Sequence, residues 1–132
     1  MAQAVARARY LHIAPRKVRL VADVIRGKKV VEARAVLRFT VKGGAPLLAK
    51  VLESAVANAE NAATEKNERV DTDEMVVKEI TIDGGPVRKK YQPMPRGRAG
   101  RIRKRTSHVT LLISDKQGAA APTTEDTSED EE

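Results

Sequence analysis

The chain has 132 residues and no cysteine, a length that fits one domain with a modest core and a composition that excludes disulfides, thiolate zinc sites and cysteine nucleophiles. Six of its 18 acidic residues follow Gly118, so the remainder of the chain sets 25 Lys and Arg against 12 Asp and Glu. That excess predicts a polyanionic partner, and nucleic acid is favoured over an anionic membrane surface. No apolar run reaches membrane-spanning length, which predicts a cytosolic protein.

The first half of the chain predicts one strand and three helices. Residues 4–13 alternate small and charged side chains, which is typical of a strand with arginines on one face. Pro15 fits the first position of a helix that stops at Gly27. A second helix is predicted at 31–39 and a third at 45–66. Their predicted buried positions are Ala35, Val36 and Phe39 in the second helix, and Leu48, Leu52, Ala55, Ala59 and Ala62 in the third.

The second half predicts two strands, at 75–83 and around Val109, Leu111 and Ile113, where apolar residues alternate with polar ones. The order of strand, three helices and two strands predicts an α+β fold, a small three-stranded antiparallel sheet packed against three helices. We expect one globular domain over residues 1–117. The acidic segment 118–132 has too little apolar content to pack and is predicted to be disordered.

Between the last two strands lies a long basic segment that has no carboxylate from Gly84 to Ser107. Two interpretations compete, a disordered loop and a β-hairpin that projects from the sheet. The two arms are nearly equal in length about Pro95-Arg96-Gly97, and both flanking segments are strand-like, which favours a hairpin over 85–106. Pro93 and Pro95 would stiffen its tip. Such an arm cannot offset its own charge repulsion, so we expect nucleic-acid phosphates to surround it.

Three stretches carry a specific resemblance: YLHIAPRKVRLVADVIRGKKVVEA, NAENAA and GRAGRIRKRTSHVTLLIS, in that order. They resemble the bacterial large-subunit ribosomal protein twenty-two family across most of residues 4–115. The resemblance implies a structural protein without enzymatic activity or cofactor, placed in the large ribosomal subunit. Its partners would be 23S rRNA, neighbouring ribosomal proteins and the nascent polypeptide, because the hairpin of that family lines the peptide exit tunnel and its members support subunit assembly. No homo-oligomer is expected.

Charge and resemblance together define the expected site residues, with no catalytic residue and no metal ligand among them. This chain has Pro93-Met94-Pro95 where many relatives have a Pro-Arg-Ala pattern. The residues expected to bind rRNA are Arg7, Arg9, Arg16, Lys17, Arg19, Arg88, Lys89, Lys90, Arg96, Arg98, Arg101, Arg103, Lys104, Arg105 and His108. The residues expected to line the tunnel at the hairpin tip are Lys90, Tyr91, Gln92, Pro93, Met94, Pro95, Arg96 and Gly97.

An architectural DNA-binding protein also uses basic β-ribbon arms with proline at the tip, but it needs a dimer, and no dimer-forming apolar surface is evident. His12 and His108 lack the partners of a catalytic site and are expected to form a structural hydrogen bond or an RNA contact. The acidic cluster at 71–74 lacks the glycine and distal glutamate of a calcium loop. The acidic tail could either fold back on the basic arm or serve only as a solubilising segment.

Overall fold

The structure, a computed structural model, describes residues 3–115. It has three helices and a three-stranded antiparallel sheet in the order β1-β3-β2, so the predicted α+β architecture is confirmed. The disorder predicted for 118–132 concerns residues outside the described part. In chain order the elements are β1 (Gln3–Leu11), α1 (Pro15–Ile25), α2 (Val30–Phe39), α3 (Gly44–Glu65), a 3-10 turn (Thr72–Glu74), β2 (Val76–Met94), a 3-10 turn (Pro95–Gly97) and β3 (Arg98–Ser114).

One face of the sheet is buried. Residues that lie side by side across the three strands point to the same face, so they are buried together or exposed together. Ala6 lies opposite Leu111, which lies opposite Ile80, and all three are buried. The next outward-facing row of β1 and β3 pairs Arg7 with Thr110. The buried residues of β1 are alanines, and their small side chains allow the long helix α3 to pack closely against the strand.

Helix α1 follows the predicted pattern. Pro15 occupies its first turn, and Val18, Val21, Ala22 and Ile25 are buried. Helix α3 buries most of its predicted stripe, including Leu48 and Leu52, but Ala62 is only half-buried and Ala63 faces the core instead. The core therefore lies between one face of the sheet and the helices, as sequence periodicity predicts.

The predicted buried stripe of α2 is wrong at two of its three positions, because only Val36 packs against the core, where it is half-buried. Its buried residues are Val30, Ala33 and Leu37, whereas Ala35 is exposed and Phe39 is 81% exposed. The cause is where the helix begins. The backbone N–H of Val30 donates to the carbonyl of Met75 at 2.9 Å, which joins the start of α2 to the start of β2 and turns Val30 toward the core. Helical spacing then buries Ala33 and Leu37.

The outer edge of β2 is covered, although it is an edge strand of the sheet. Val77 exchanges backbone hydrogen bonds with the α1–α2 connection, through the N–H of Gly27 at 3.0 Å and the carbonyl of Lys28 at 2.9 Å. Farther along, Arg26 donates to the carbonyl of Ile80 at 2.9 Å. Satisfying these groups protects an exposed edge from pairing with other chains.

Candidate nucleic-acid interface

The basic segment forms a two-stranded hairpin that continues β2 and β3 beyond the body. Its strands pair from Val87 opposite Arg105 to Met94 opposite Arg98. At about 3.3 Å per residue this ladder is roughly 25 Å long. The hairpin interpretation is confirmed and the loop interpretation is wrong.

The base of the hairpin is closely packed. The register shifts between Gly84 and Val87, where the strands leave the body. A Cβ at Gly85 would lie 3.2 Å from the ring of His108 and would overlap the hydroxyl of Thr106. That hydroxyl donates to the carbonyl of Pro86 at 2.7 Å. The glycine thus permits the tight contact that fixes the direction of the hairpin.

Cations occupy both faces of the hairpin. Alternation along a strand places Lys89, Arg101, Arg103 and Arg105 on one face, together with Tyr91. The opposite face carries Arg88, Lys90, Arg98 and Lys104. Because the cations on both faces are exposed, a polyanion could approach this arm from both sides.

Several of these cations face each other directly. The strand register places Arg88 opposite Lys104 and Lys89 opposite Arg103. Like charges directly opposite on an antiparallel pair destabilise it. The ion pairs found within residues 3–115 involve Arg26, Lys29 and Arg34, and none involves a hairpin cation. The hairpin therefore lacks internal compensation for its charge within the described chain, and an external polyanion would supply it.

The tip turns through two consecutive residues in the left-handed region, Arg96 with φ 64° and Gly97 with φ 71°. This confirms the turn predicted at Pro95-Arg96-Gly97. Met94 packs over Gly100, where an added Cβ would lie 2.8 Å from its Cγ. Tyr91 is largely exposed and Met94 is about half exposed, so the tip presents both apolar and cationic side chains.

A cleft of about 630 Å³ lies at the base of the hairpin, and we call it the hairpin-base cleft. Its walls come from three distant parts of the chain: the start of α1, the start of α3 and both arms of the hairpin. No Asp or Glu lines it among the described residues. The cations that line the hairpin-base cleft are Lys17, Lys42, Arg88, Arg103, Lys104 and Arg105.

Two helix N-termini meet at this cleft. Ala14 precedes α1 and Gly43 precedes α3, and neither offers a side-chain cap. The first turn of each helix also lacks an acidic residue. Uncapped N-termini carry unsatisfied N–H groups and partial positive charge, which favours anions. Side chains and helix ends thus give the cleft the same sign of charge.

The remaining predicted cations form two separate groups. Arg7 and Arg9 lie with His108 around a small concavity on the outer side of the sheet, which Asp83 also lines. Arg16 and Arg19 lie on α1, and Arg19 donates to the carbonyl of Ile82 through Nε at 3.3 Å and Nη2 at 2.9 Å. The two groups therefore lie on different elements, the outer side of the sheet and α1, and whether they bind RNA stays a prediction.

His108 has a structural role in this arrangement. Its Nδ1 accepts a hydrogen bond from the backbone N–H of Tyr10 at 3.1 Å, and the two rings meet edge to face at 4.9 Å. Tyr10 has φ 59° and lies where the pairing of β1 with β3 shifts register. His108 thus anchors an irregular segment of β1, which is one of the two roles predicted for it.

The acidic cluster makes local contacts. Asp71 accepts a hydrogen bond from the N–H of Asp73 at 3.1 Å, and Asp73 and Glu74 lie within 4.0 Å of Arg34 and Lys29. Residues 3–115 contain no cluster of three His, Asp or Glu side chains able to hold a metal ion. No helix of that same part is both long and apolar enough to cross a bilayer.

Lys42, Gly43 and Gly44 also line the cleft, although in the sequence they indicate only a break between two helices. The N-terminus of a helix favours anions, but only the fold brings these residues beside the hairpin. His12 also lines this cleft, as the prediction of an RNA contact allows.

The sequence of this chain is similar to those of known proteins. Residues 6–114 match the family described as ribosomal protein L22p/L17e. The chain is 53% identical over 117 residues to large ribosomal subunit protein uL22 of Desulfitobacterium hafniense strain Y51. The aligned region covers 89% of this chain and 98% of the relative. It is 51% identical over 115 residues to large ribosomal subunit protein uL22 of Pelotomaculum thermopropionicum, covering 87% of this chain and 97% of the relative.

Proposed function

The chain belongs to the ribosomal protein L22p/L17e family, and from that membership we propose that it binds 23S rRNA as a structural constituent of the large ribosomal subunit. The hairpin inserts between RNA segments, and the body holds it in a fixed direction. In this role the protein supports subunit assembly and needs no cofactor or catalytic residue.

The observation that carries this proposal is the cationic hairpin with directly opposed like charges, Arg88 with Lys104 and Lys89 with Arg103. An isolated ribbon of this kind is destabilised by its own charge. RNA phosphates on both faces would neutralise it and release counterions, which favours binding. Arginine also suits forked phosphate contacts and stacking on bases.

We further propose that the tip lines the peptide exit tunnel. It is the part of the hairpin farthest from the body, and Tyr91 and Met94 are exposed there together with Arg96. An exposed mixture of apolar and cationic side chains suits a position between RNA and a passing polypeptide. The neighbouring ribosomal proteins and the nascent chain would then be its protein partners.

The test is incorporation into the large subunit. Subunits isolated in high salt from cells that express a tagged chain should contain the protein in about stoichiometric amount. A variant with Lys89→Gln, Arg101→Gln and Arg103→Gln should be depleted from these subunits, because it loses cations of one hairpin face. A matched variant with Lys50→Gln, Lys66→Gln and Lys78→Gln carries the same net charge outside the hairpin and should incorporate normally.

Finding the unmodified protein only in the free pool would overturn the proposal. Equal depletion of both variants would mean that net charge, rather than the hairpin, determines binding. The architectural DNA-binding alternative predicts a dimer that binds duplex DNA at least as well as rRNA at matched salt. A monomer that prefers rRNA excludes it.

A further inference from the structure

We propose that the acidic tail, residues 118–132, binds the hairpin-base cleft in the free protein and leaves it when RNA arrives. The competition with RNA rests on the proposed function, whereas the contact between tail and cleft does not. The tail lies beyond residue 114, the last residue that matches the family model. This device would therefore belong to this chain rather than to the family pattern.

The hairpin-base cleft is suited to an acidic peptide. Six Lys and Arg side chains and two uncapped helix N-termini line one concave surface, and its described lining includes no carboxylate. A concave site of one charge sign attracts the opposite charge more strongly than a flat surface does. Apolar parts of Ile13 and Leu20 also line it, which gives the backbone of a bound segment something to pack against.

The tail has the complementary charge. Its ionisable residues are all acidic, and it contains neither Lys nor Arg. The acidic residues are Glu125, Asp126, Glu129, Asp130, Glu131 and Glu132.

The tail is also long enough. Strand β3 ends at Ser114 and passes Thr106 at the edge of the cleft, so the distance to be spanned is roughly 26 Å at about 3.3 Å per residue. An extended chain from Asp115 to Glu125 reaches at most about 33–36 Å. A tether of this length provides an effective concentration of the order of millimolar.

Binding of the tail would reduce RNA binding at low salt most strongly. If the tail occupies the cleft for nine-tenths of the time, the apparent RNA affinity of a cleft-dependent complex falls about tenfold. The effect would discriminate against weak, non-specific RNA before assembly. It would leave a strongly bound rRNA site occupied, because many hairpin phosphate contacts outweigh one tail.

The direct test uses the full-length chain without RNA. Ser128→Cys creates the sole cysteine of the protein, to which a nitroxide spin label is attached. Near 0.01 M ionic strength, we expect the spin label to reduce the intensity of the backbone amide NMR signals of Lys17, Gly43 and Gly44 by roughly twofold or more. The loss should vanish near 1 M, where the screening length falls from about 30 Å to about 3 Å. A variant in which the six Asp and Glu residues of the tail are changed to Asn and Gln, called the amide-tail variant, should show no loss of signal.

Matched charge variants locate the contact. Lys42→Gln with Arg105→Gln removes two cations from the cleft and should abolish most of the signal loss. Lys50→Gln with Lys78→Gln removes the same charge elsewhere and should preserve it. Absence of signal loss at low salt would overturn the proposal and identify the tail as a solubilising segment only. Equal loss at Arg96 and Arg98, unaffected by the cleft variants, would overturn it too.

The RNA competition is measured separately, as the affinity of the full chain and of the amide-tail variant for one 23S rRNA fragment. About tenfold tighter binding by the amide-tail variant at low salt, converging at high salt, is expected. Equal affinities would overturn the competition. If neither protein binds the fragment, the proposed function fails, while the spin-label result still decides whether the tail occupies the cleft.

Discussion

Two arginines associated with α1 show how one residue type serves two roles in this protein. Arg19 and Arg26 donate to the carbonyls of Ile82 and Ile80 along the outer edge of β2. Each guanidinium has five N–H donors, so bonding to one carbonyl leaves others available. Arg19 can therefore hold the edge strand and still contribute positive charge to the surface.

This arrangement gives a prediction about stability. Arg19→Met keeps the aliphatic stem but removes the two donors to Ile82, so the free energy of unfolding should fall by about 1 kcal/mol. Arg16→Met changes the same charge on an exposed position of α1 and should alter it by less than about 0.5 kcal/mol. Urea unfolding of both variants measures the difference. Equal losses would show that the Arg19 hydrogen bonds contribute nothing.

A second residue-scale prediction concerns the turn. Gly97 has φ 71°, where a Cβ costs about 1–2 kcal/mol. Gly97→Ala should therefore loosen the tip and shift the NMR signals of Met94 and Arg98 toward unpaired values. Gly43→Ala is the control, because Gly43 has φ −64° and an added Cβ there meets no atom within 4 Å. If both changes leave the tip signals unaltered, the turn tolerates a Cβ at position 97 and does not require glycine there.

At the scale of elements, sequence patterns predicted what depends on local order. The small-charged alternation of β1, the helical spacing of α1 and the balanced arms about Pro95-Arg96-Gly97 all follow from periodicity and turn chemistry. Ala35 and Phe39 of α2 are exposed, contrary to prediction, because a backbone hydrogen bond from Val30 to Met75, far apart in sequence, fixes the rotation of that helix. Sequence patterns do not predict the hairpin-base cleft either, because its walls come from segments that are far apart in sequence.

The hairpin carries an element-scale prediction. Lys89→Gln with Arg103→Gln removes one opposed cation pair, so the slope of log affinity for rRNA against log salt should become shallower by about 1.4–1.8. The free protein should be no less stable, since these cations repel each other. Lys50→Gln with Lys78→Gln provides the same charge change outside the hairpin. The same slope change in both proteins would contradict a specific role for the hairpin.

At the scale of the whole molecule, folding and binding are divided between different parts of the chain. The core residues of β2 and β3, such as Ile82, Val109 and Leu111, all lie on the body side of the hairpin base. The hairpin contributes no residue to that core within the described chain. The body should therefore fold without the hairpin, and the hairpin should gain its order from its partner.

Replacing residues 87–105 by an Asn-Gly turn tests this division, since that dipeptide favours a two-residue hairpin turn. The core and the hydrogen bond from Thr106 to Pro86 remain available, so thermal unfolding should stay cooperative. The Tm should lie within about 4–8 °C of that of the full chain, which is the shift that a loss of about 1 kcal/mol produces. RNA affinity should fall and lose most of its salt dependence, because all nine hairpin cations are removed. Circular dichroism melting and RNA titrations at matched salt measure both. Loss of cooperative melting would show that the hairpin belongs to the folding unit, and unchanged RNA affinity would show that the body alone binds RNA.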